Sequence, residues 1–353
     1  MRIFTFKGLL LTAVFMLLGC LSIQAANDDL ITKQITINLD KAGTLPNKIA
    51  SSEMYKITNL KIIGEINGTD WNMIREMAGR DNRGYGTEGK LSVLDLSEAK
   101  IVKGGDYYYY DNLFNNKVYT SNDEIGEYAF AYCSGLTSLT LPVGITSIGE
   151  FAFSGCSGLT SLTLPAGITS IGEYAFYGCS GLTSLNLPAG ITEIGESTFS
   201  DCSGLTSLTL PDGITSIGIS AFSGCSRLTS LTLPAGITSI GEFAFSYCSG
   251  LTSIYEYAEK VPRIGRYAFE GCASRKCTLY VPKGTYDNYR LSEFGYFENI
   301  VEFDATGIDK TTTSTDVEEV SRYSVNGQRL AVPVKGLNIV KYSDGTARKV
   351  VVK

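Results

Sequence analysis

Cys133, Cys156, Cys179, Cys202, Cys225 and Cys248 recur at intervals of 23 residues, and Cys272 follows 24 further on. Thiols at a fixed period have three chemical uses: a metal site, a run of disulfides, or the lining of a folded stack. A structural metal site needs four ligands converging on one point, and seven in a row do not converge. Equivalent positions in stacked coils lie about 4.8 Å apart, close enough for disulfide-bonded Cα atoms. Side chains in a parallel ladder nevertheless point the same way, so two sulfurs rarely meet at the required dihedral. The favoured reading is a structural, inward ladder of reduced thiols. Cys272 and Cys277 are close enough to bridge within one loop, and that pairing stays open.

A file of acids runs at the same period: Glu127, Glu150, Glu173, Glu196 and Glu242, interrupted by Ile219. Stacked carboxylates raise one another's pKa and could share a cation. These positions flank aromatic or small surface residues rather than a pocket, which favours a solvated edge. No pair of acids stands out at the separation glycoside hydrolysis requires. The chain contains 0 histidines, which removes Ser-His-Asp triads, Cys-His dyads and histidine-ligated zinc. The sequence therefore assigns no catalytic residue, no metal and no cofactor.

What positions these residues is a repeat. "IGEYAFAYCSGLTSLTLPVGITS" begins at Ile125 and restarts at Ile148, Ile171, Ile194, Ile217 and Ile240. A unit this small cannot bury a core alone, so copies must stack and share one. Within "LTSLTLP" apolar and small polar residues alternate, which predicts a short strand with Leu inward and Ser or Thr outward. Pro142, Pro165, Pro188, Pro211 and Pro234 end the strand, and "L-P-x-G" suits a tight turn. "GITSIG" supplies a second extended stretch, and "AF" predicts a short helical or 3₁₀ turn. The fold class is thus a repeat solenoid, mostly β with short helical turns.

The spacing Leu136, Leu139, Leu141, repeated through Leu228, Leu231, Leu233, matches L-x-x-L-x-L. With the cysteine three residues ahead of the first leucine, the pattern resembles the BspA-like leucine-rich repeats of bacterial surface proteins. The resemblance covers Ile125 to about Val281 closely and the flanks loosely. It implies a right-handed leucine-rich repeat superhelix with N- and C-terminal caps. It also implies an exported protein that binds host matrix, other cells or glycans, and generally no enzyme activity.

Residues 1–26 read as an export signal: Arg2 and Lys7, an apolar run from Gly8 to Leu18, then Ala25 and Ala26. "LLGC" is also a lipobox-like string, so Cys20 is a second candidate end, as a lipidated residue. Residues 27–124 read as an N-terminal cap of degenerate repeats, with "TDWNMIREMAG" as an N-capped helix whose Trp71, Ile74 and Met77 share one face. Repeats follow over 125–277, a C-terminal cap over 278–303 covers the sheet edge, and 304–320 is a polar linker. Residues 321–353 hold seven Lys/Arg against one Asp. They read as short strands joined by "NGQ" and "SDG" turns, resembling a C-terminal sorting segment or standing as a small appendage.

Net charge is -6, and Ile125 to Arg263 carries ten Asp/Glu against three Lys/Arg. A phosphate backbone is repelled by such a surface, so nucleic acid is not expected. The expected ligand-binding face is the outward strand surface: Ser138, Thr140, Ser161, Thr163, Ser184, Asn186, Ser207, Thr209, Ser230 and Thr232, ending at Tyr255. Concave solenoid faces commonly bind partners, although small hydroxyls also simply keep a sheet soluble. Tyr107, Tyr108, Tyr109 and Tyr110, in "GGDYYYYDN", form a candidate recognition loop, or an insertion packed on the cap. The expected protein is a monomeric, non-enzymatic, adhesin-like binder of a protein or glycan on another cell or matrix. It is exported to the cell surface (outer membrane) or secreted, touching membrane only through a lipid anchor or surface attachment. The alternative is an accessory or catalytic carbohydrate-active protein with its site in the N-terminal region.

Overall fold

The computed structural model describes residues 29–112, 115–305, 319–324, 329–330, 336–342 and 347–352. The export signal, Cys20 and most of the linker lie outside the described residues. Ile35–Leu39 (β1), Asn59–Ile66 (β2) and Val93–Ile101 (β3) are joined in parallel to the first regular repeat strands, Ser138–Thr140 and Ser161–Thr163. The same stack continues through Ser184–Asn186, Ser207–Thr209, Ser230–Leu233, Ser253–Glu256, Thr278–Pro282 and Asn299–Phe303. Register is strict. Ser138 pairs with Ser161, Ser184 with Ser207 and Ser230 with Ser253. A second edge is built from two-residue strands such as Ser147–Ile148, flanked by Glu124–Ile125 and Ser170–Ile171.

One coil shows why the unit repeats. Leu136, Leu139, Leu141, Ile145, Ile148, Ala152, Phe153 and Cys156 are all buried. A lone coil would leave this inward row covered on one side only, so each copy is stabilised by its two neighbours.

The expected helical turn at "AF" is not helical. Over Tyr128 to Cys133 the backbone amides alternate. Tyr128, Phe130 and Tyr132 donate to Glu150, Ala152 and Ser154 of the next coil at 3.0, 2.7 and 2.6 Å, while Ala129, Ala131 and Cys133 donate to the residue three back. A helix would spend every amide within its own coil and leave nothing to tie one coil to the next. The alternation is made by left-handed residues, with Tyr128 at φ 55° and Tyr132 at φ 63°. Among the described residues, helix is confined to the caps.

A phenylalanine column fills the core beside this third edge. Phe130, Phe153, Phe176, Phe199, Phe222, Phe245 and Phe269 stack successively with centroids 5.1 to 5.5 Å apart. Both ends are closed by the caps. Trp71, on the helix Gly68–Met77 (α1), stands 5.3 Å from Phe130, and Phe294 and Phe297 each stand 5.2 Å from Phe269. As expected, Trp71, Ile74 and Met77 are buried. Asn67 caps α1, and the buried Asp70 carboxylate accepts from the amides of Gly43, Leu45 and Asn67. The caps therefore seal the core, but they leave strand edges: β1 and Asn299–Phe303 are outermost in their sheets among the described residues.

Four antiparallel strands follow the linker, ordered Arg329–Leu330, Glu319–Ser324, Gly336–Tyr342, Ala347–Val352. Glu319–Ser324 pairs with both Arg329–Leu330 and Gly336–Tyr342, and Gly336–Tyr342 with Ala347–Val352, so the central pairing skips one strand in the sequence.

Candidate functional site

The strand face places its predicted residues in two files. Ser138, Ser161, Ser184, Ser207 and Ser230 form one, all exposed, and Thr140, Thr163, Asn186, Thr209 and Thr232 the other, exposed except for half-buried Thr209. Inward Leu139, Leu162, Leu185, Leu208 and Leu231 fix this direction, because alternate strand residues face opposite sides.

Hydroxyl bonding separates these files from the threonines beside them. Thr137, Thr160, Thr183, Thr206, Thr229 and Thr252 each donate Oγ1 to the preceding coil's carbonyl, at 3.0 to 3.4 Å. Thr146, Thr169, Thr215 and Thr238 do the same at the second edge. On the strand face only Ser230 and Ser253 meet, at 3.0 Å. Among the described residues the other hydroxyls of the two files have no hydrogen-bond partner, and all but half-buried Thr209 are exposed.

Both ends of the face change chemistry. At the N-terminal end Lys61 pairs with Glu98 at 2.6 Å and Asp95 at 3.4 Å, and Asp95 is in register with Thr140. At the other end Tyr255, in register with Thr232, stacks on Tyr280 at 4.6 Å. Phe303 stands edge-on to Tyr255 and Tyr257, at 6.2 and 5.1 Å. Burial pushes the Tyr255 hydroxyl up to about 12.

Of the two readings of the tyrosine segment, the insertion packed on the cap describes Tyr108 and Tyr109. Gly104–Asp111 pairs with Asn116–Thr120 as an antiparallel hairpin, not a loop. Tyr108 is 1 % exposed, its hydroxyl donating to the Glu127 carbonyl at 2.8 Å and its ring lying against Trp71. Tyr109 stacks on Tyr128 at 4.3 Å beneath the Arg75 guanidinium. Tyr108 is thereby buried in the cap and unavailable for recognition, whereas Tyr107, Tyr109 and Tyr110 are half-buried.

The cysteines sit inward. Sγ of Cys156, Cys179, Cys202, Cys225 and Cys248 donates to the carbonyl of the phenylalanine one coil back, at 3.0 to 3.3 Å. Cys272 does likewise to Phe245 at 3.2 Å, while Cys133 turns to Ala131 at 3.9 Å. Burial holds Cys156, Cys179 and Cys202 well above the ordinary thiol range, which keeps them protonated and unreactive. Cys272 and Cys277 are both free. In the Glu row, Glu127, Glu150, Glu173 and Glu242 are exposed and Glu196 is half-buried, bonded by the Tyr174 hydroxyl. Among the described residues no group of three or more His, Cys, Asp or Glu is placed to hold a metal ion.

Two features escaped sequence reasoning. Tyr128, Phe151 and Tyr174, the variable residue of "GE-x-AF", stack outside the core at 5.0 and 4.8 Å; their shared period was the available signal. Glu256 takes the rung that Leu233 and its predecessors fill, and is 0 % exposed.

No curated protein matches the chain. Solved structures similar to it include a leucine-rich repeat protein of T. pallidum, 28 % identical over 48 % of this chain and 76 % of that one, with a TM-score of 0.41. Another, from Bacteroides ovatus, is 21 % identical over 77 % and 70 %, TM-score 0.40. A leucine-rich cell surface protein of Faecalibacterium prausnitzii is 20 % identical over 76 % and 82 %, TM-score 0.32. The model of the BspA type leucine rich repeat region matches residues 103–227 and 198–311, in 6 copies. That match spans more than half of the chain, and with the solenoid and its buried Leu, Phe and Cys columns it means that this protein belongs to the BspA-type leucine-rich repeat family.

Proposed function

We propose that the protein is a non-enzymatic binding protein, exposed on a bacterial surface or secreted, that engages a matrix protein, cell-surface protein or glycan with its strand face. The supporting observation is the division of labour among the hydroxyls. Threonines flanking the strands are bonded to neighbouring carbonyls, whereas the Ser138 and Thr140 files keep donors and acceptors open across successive coils. Solubility alone needs polar atoms, not a register-locked array of open ones. A flat surface of small hydroxyls lets a partner approach the backbone closely, and the Tyr255–Tyr280 pair adds an apolar anchor at its end.

The test replaces Thr163 and Thr209 with lysine, which keeps the inward leucines intact. Binding to immobilised matrix proteins and a glycan array is expected to fall at least tenfold while the melting curve is unchanged. Undiminished binding by the double variant would place the interaction elsewhere.

A further inference from the structure

The isoleucine column of the second edge ends at a groove, away from the strand face. Ile125, Ile148, Ile171, Ile194, Ile217 and Ile240 are buried, whereas Ile264, the next of the column, is half-buried. It pairs with Ile240 on one side, and Arg263–Ile264 is the last strand of that sheet. Past it the chain forms the helix Tyr286–Arg290 and the 3₁₀ turn Glu293–Tyr296 instead of another edge strand. A cavity of about 570 Å³ separates the two, lined by Pro262 and Ile264 on one wall and by Leu291, Ser292, Glu293 and Tyr296 on the other. Leu291 is 88 % exposed there.

The backbone of the first wall lacks its donors. Along the second edge each coil's amides reach back: Thr238 donates to Thr215 at 2.8 Å, Gly241 to Ile217 at 2.7 Å and Gly265 to Ile240 at 2.8 Å. The last coil is left with the accepting carbonyls, and among the described residues nothing donates to those of Pro262 and Ile264. An extended chain laid along them would supply the N–H groups. One residue of such a chain must be glycine. A Cβ on Gly241 would meet the Gly218 carbonyl carbon at 2.5 Å, and one on Gly265 the Glu242 amide nitrogen at 2.3 Å, so the residue after each isoleucine has no room for a side chain.

Charge reverses at the same place. With Ile264 in register with Ile240, Arg266 takes the row position of Glu127, Glu150, Glu173, Glu196 and Glu242, and Arg263 that of Ser239. Lys260, Arg263 and Arg266 are exposed, and no acid stands between Lys260 and Phe269 in the sequence. Among the described residues none of these three cations forms an ion pair. Glu293, on the cap wall, is the one acid of the lining.

We propose that this groove binds an extended, acidic segment of a partner protein as one further strand of the second edge. The segment that fits reads apolar-Gly-acid, as in the repeat's own "IGE". Its apolar side chain covers Ile264, its glycine amide donates to the Ile264 carbonyl, and its acid faces Arg266. This chain's own isoleucines from Ile148 to Ile240 are already buried in the stack, which points to a second protein as the source.

The test titrates the full chain with a labelled hexapeptide, TSIGEY, the sequence of Thr169 to Tyr174, blocked at both termini, at physiological salt. Counterparts with alanine for its glycine, or lysine for its glutamate, are each expected to bind about tenfold more weakly. Arg266→Glu installs the residue that Glu242 provides one coil earlier, so it keeps the fold. It should weaken the parent peptide about tenfold and recover the lysine peptide. No binding at millimolar peptide, equal binding of the glycine and alanine peptides, or a lysine peptide that binds Arg266→Glu no better than the parent would overturn the proposal. A parent dimer in sedimentation that Arg266→Glu dissociates would do so too, because a second copy would then fill the groove. Thr163 and Thr209 variants should leave this titration unchanged, so it fails or succeeds apart from the strand-face reading.

Discussion

Glu256→Leu is expected to stabilise the C-terminal end of the solenoid, by an amount that grows with pH. Leu141, Leu164, Leu187, Leu210 and Leu233 fill the equivalent rung in five coils, so leucine fits the space. Glu256 is fully buried there; Oε1 accepts the Ala258 amide at 2.9 Å, but Oε2 has no partner. Burial pushes its carboxyl up from 4.5 to about 8. The folded protein therefore holds this proton more tightly than the unfolded chain. Stability from this group is complete below pH ~4.5 and is lost as pH rises toward ~8, at about 1.4 kcal/mol per pH unit. Over that window the loss is about 4 to 5 kcal/mol, and the leucine variant lacks it. Because a solenoid frays from its ends, amide hydrogen exchange across 278–303, corrected for intrinsic base catalysis, is the local readout. In the parent, protection of Thr278–Pro282 and of the helix Tyr286–Arg290 should decline from pH 5 to 8, and in Glu256→Leu it should stay level. A pH-independent difference between the two proteins, or a variant less protected at pH 8, would refute the assignment of a strained buried carboxyl.

Two further outcomes follow from the core columns. Phe199→Ala removes a ring stacked on both sides at 5.3 Å and should cost about 3 to 5 kcal/mol in denaturant unfolding, with loss of a single cooperative transition as the two halves uncouple. The repeat thiols should resist a chromogenic disulfide reagent in the folded protein up to pH 9 and react promptly once unfolded, because burial holds Cys156, Cys179 and Cys202 well above the ordinary range; fast native labelling would show that the column opens.

The period of 23 residues determined most of the architecture by itself. A unit too short to fold alone must stack, and alternation in "LTSLTL" then decides which residues face in, so the inward Leu and Cys and the outward Ser and Thr were legible before any coordinates. The helix carrying Trp71 was legible for a similar reason, since its apolar spacing is local. Tertiary structure decided whatever depends on the neighbouring coil. "AF" looks like the start of a helical turn in one copy, but only the next coil's carbonyls make alternating amide directions, with Tyr128 and Tyr132 left-handed, the better use of its amides. Composition left Tyr108 and Tyr109 open between a recognition loop and an insertion packed on the cap, and contact with Trp71 and Tyr128 puts these two on the cap. Which hydroxyls are already bonded, and that the Tyr132 and Tyr247 rings lie over Gly155 and Gly271 of the following coils, are likewise relations between coils. A periodic sequence states that successive copies are equivalent, but the distance and direction between their side chains are set only when the copies are laid one on another.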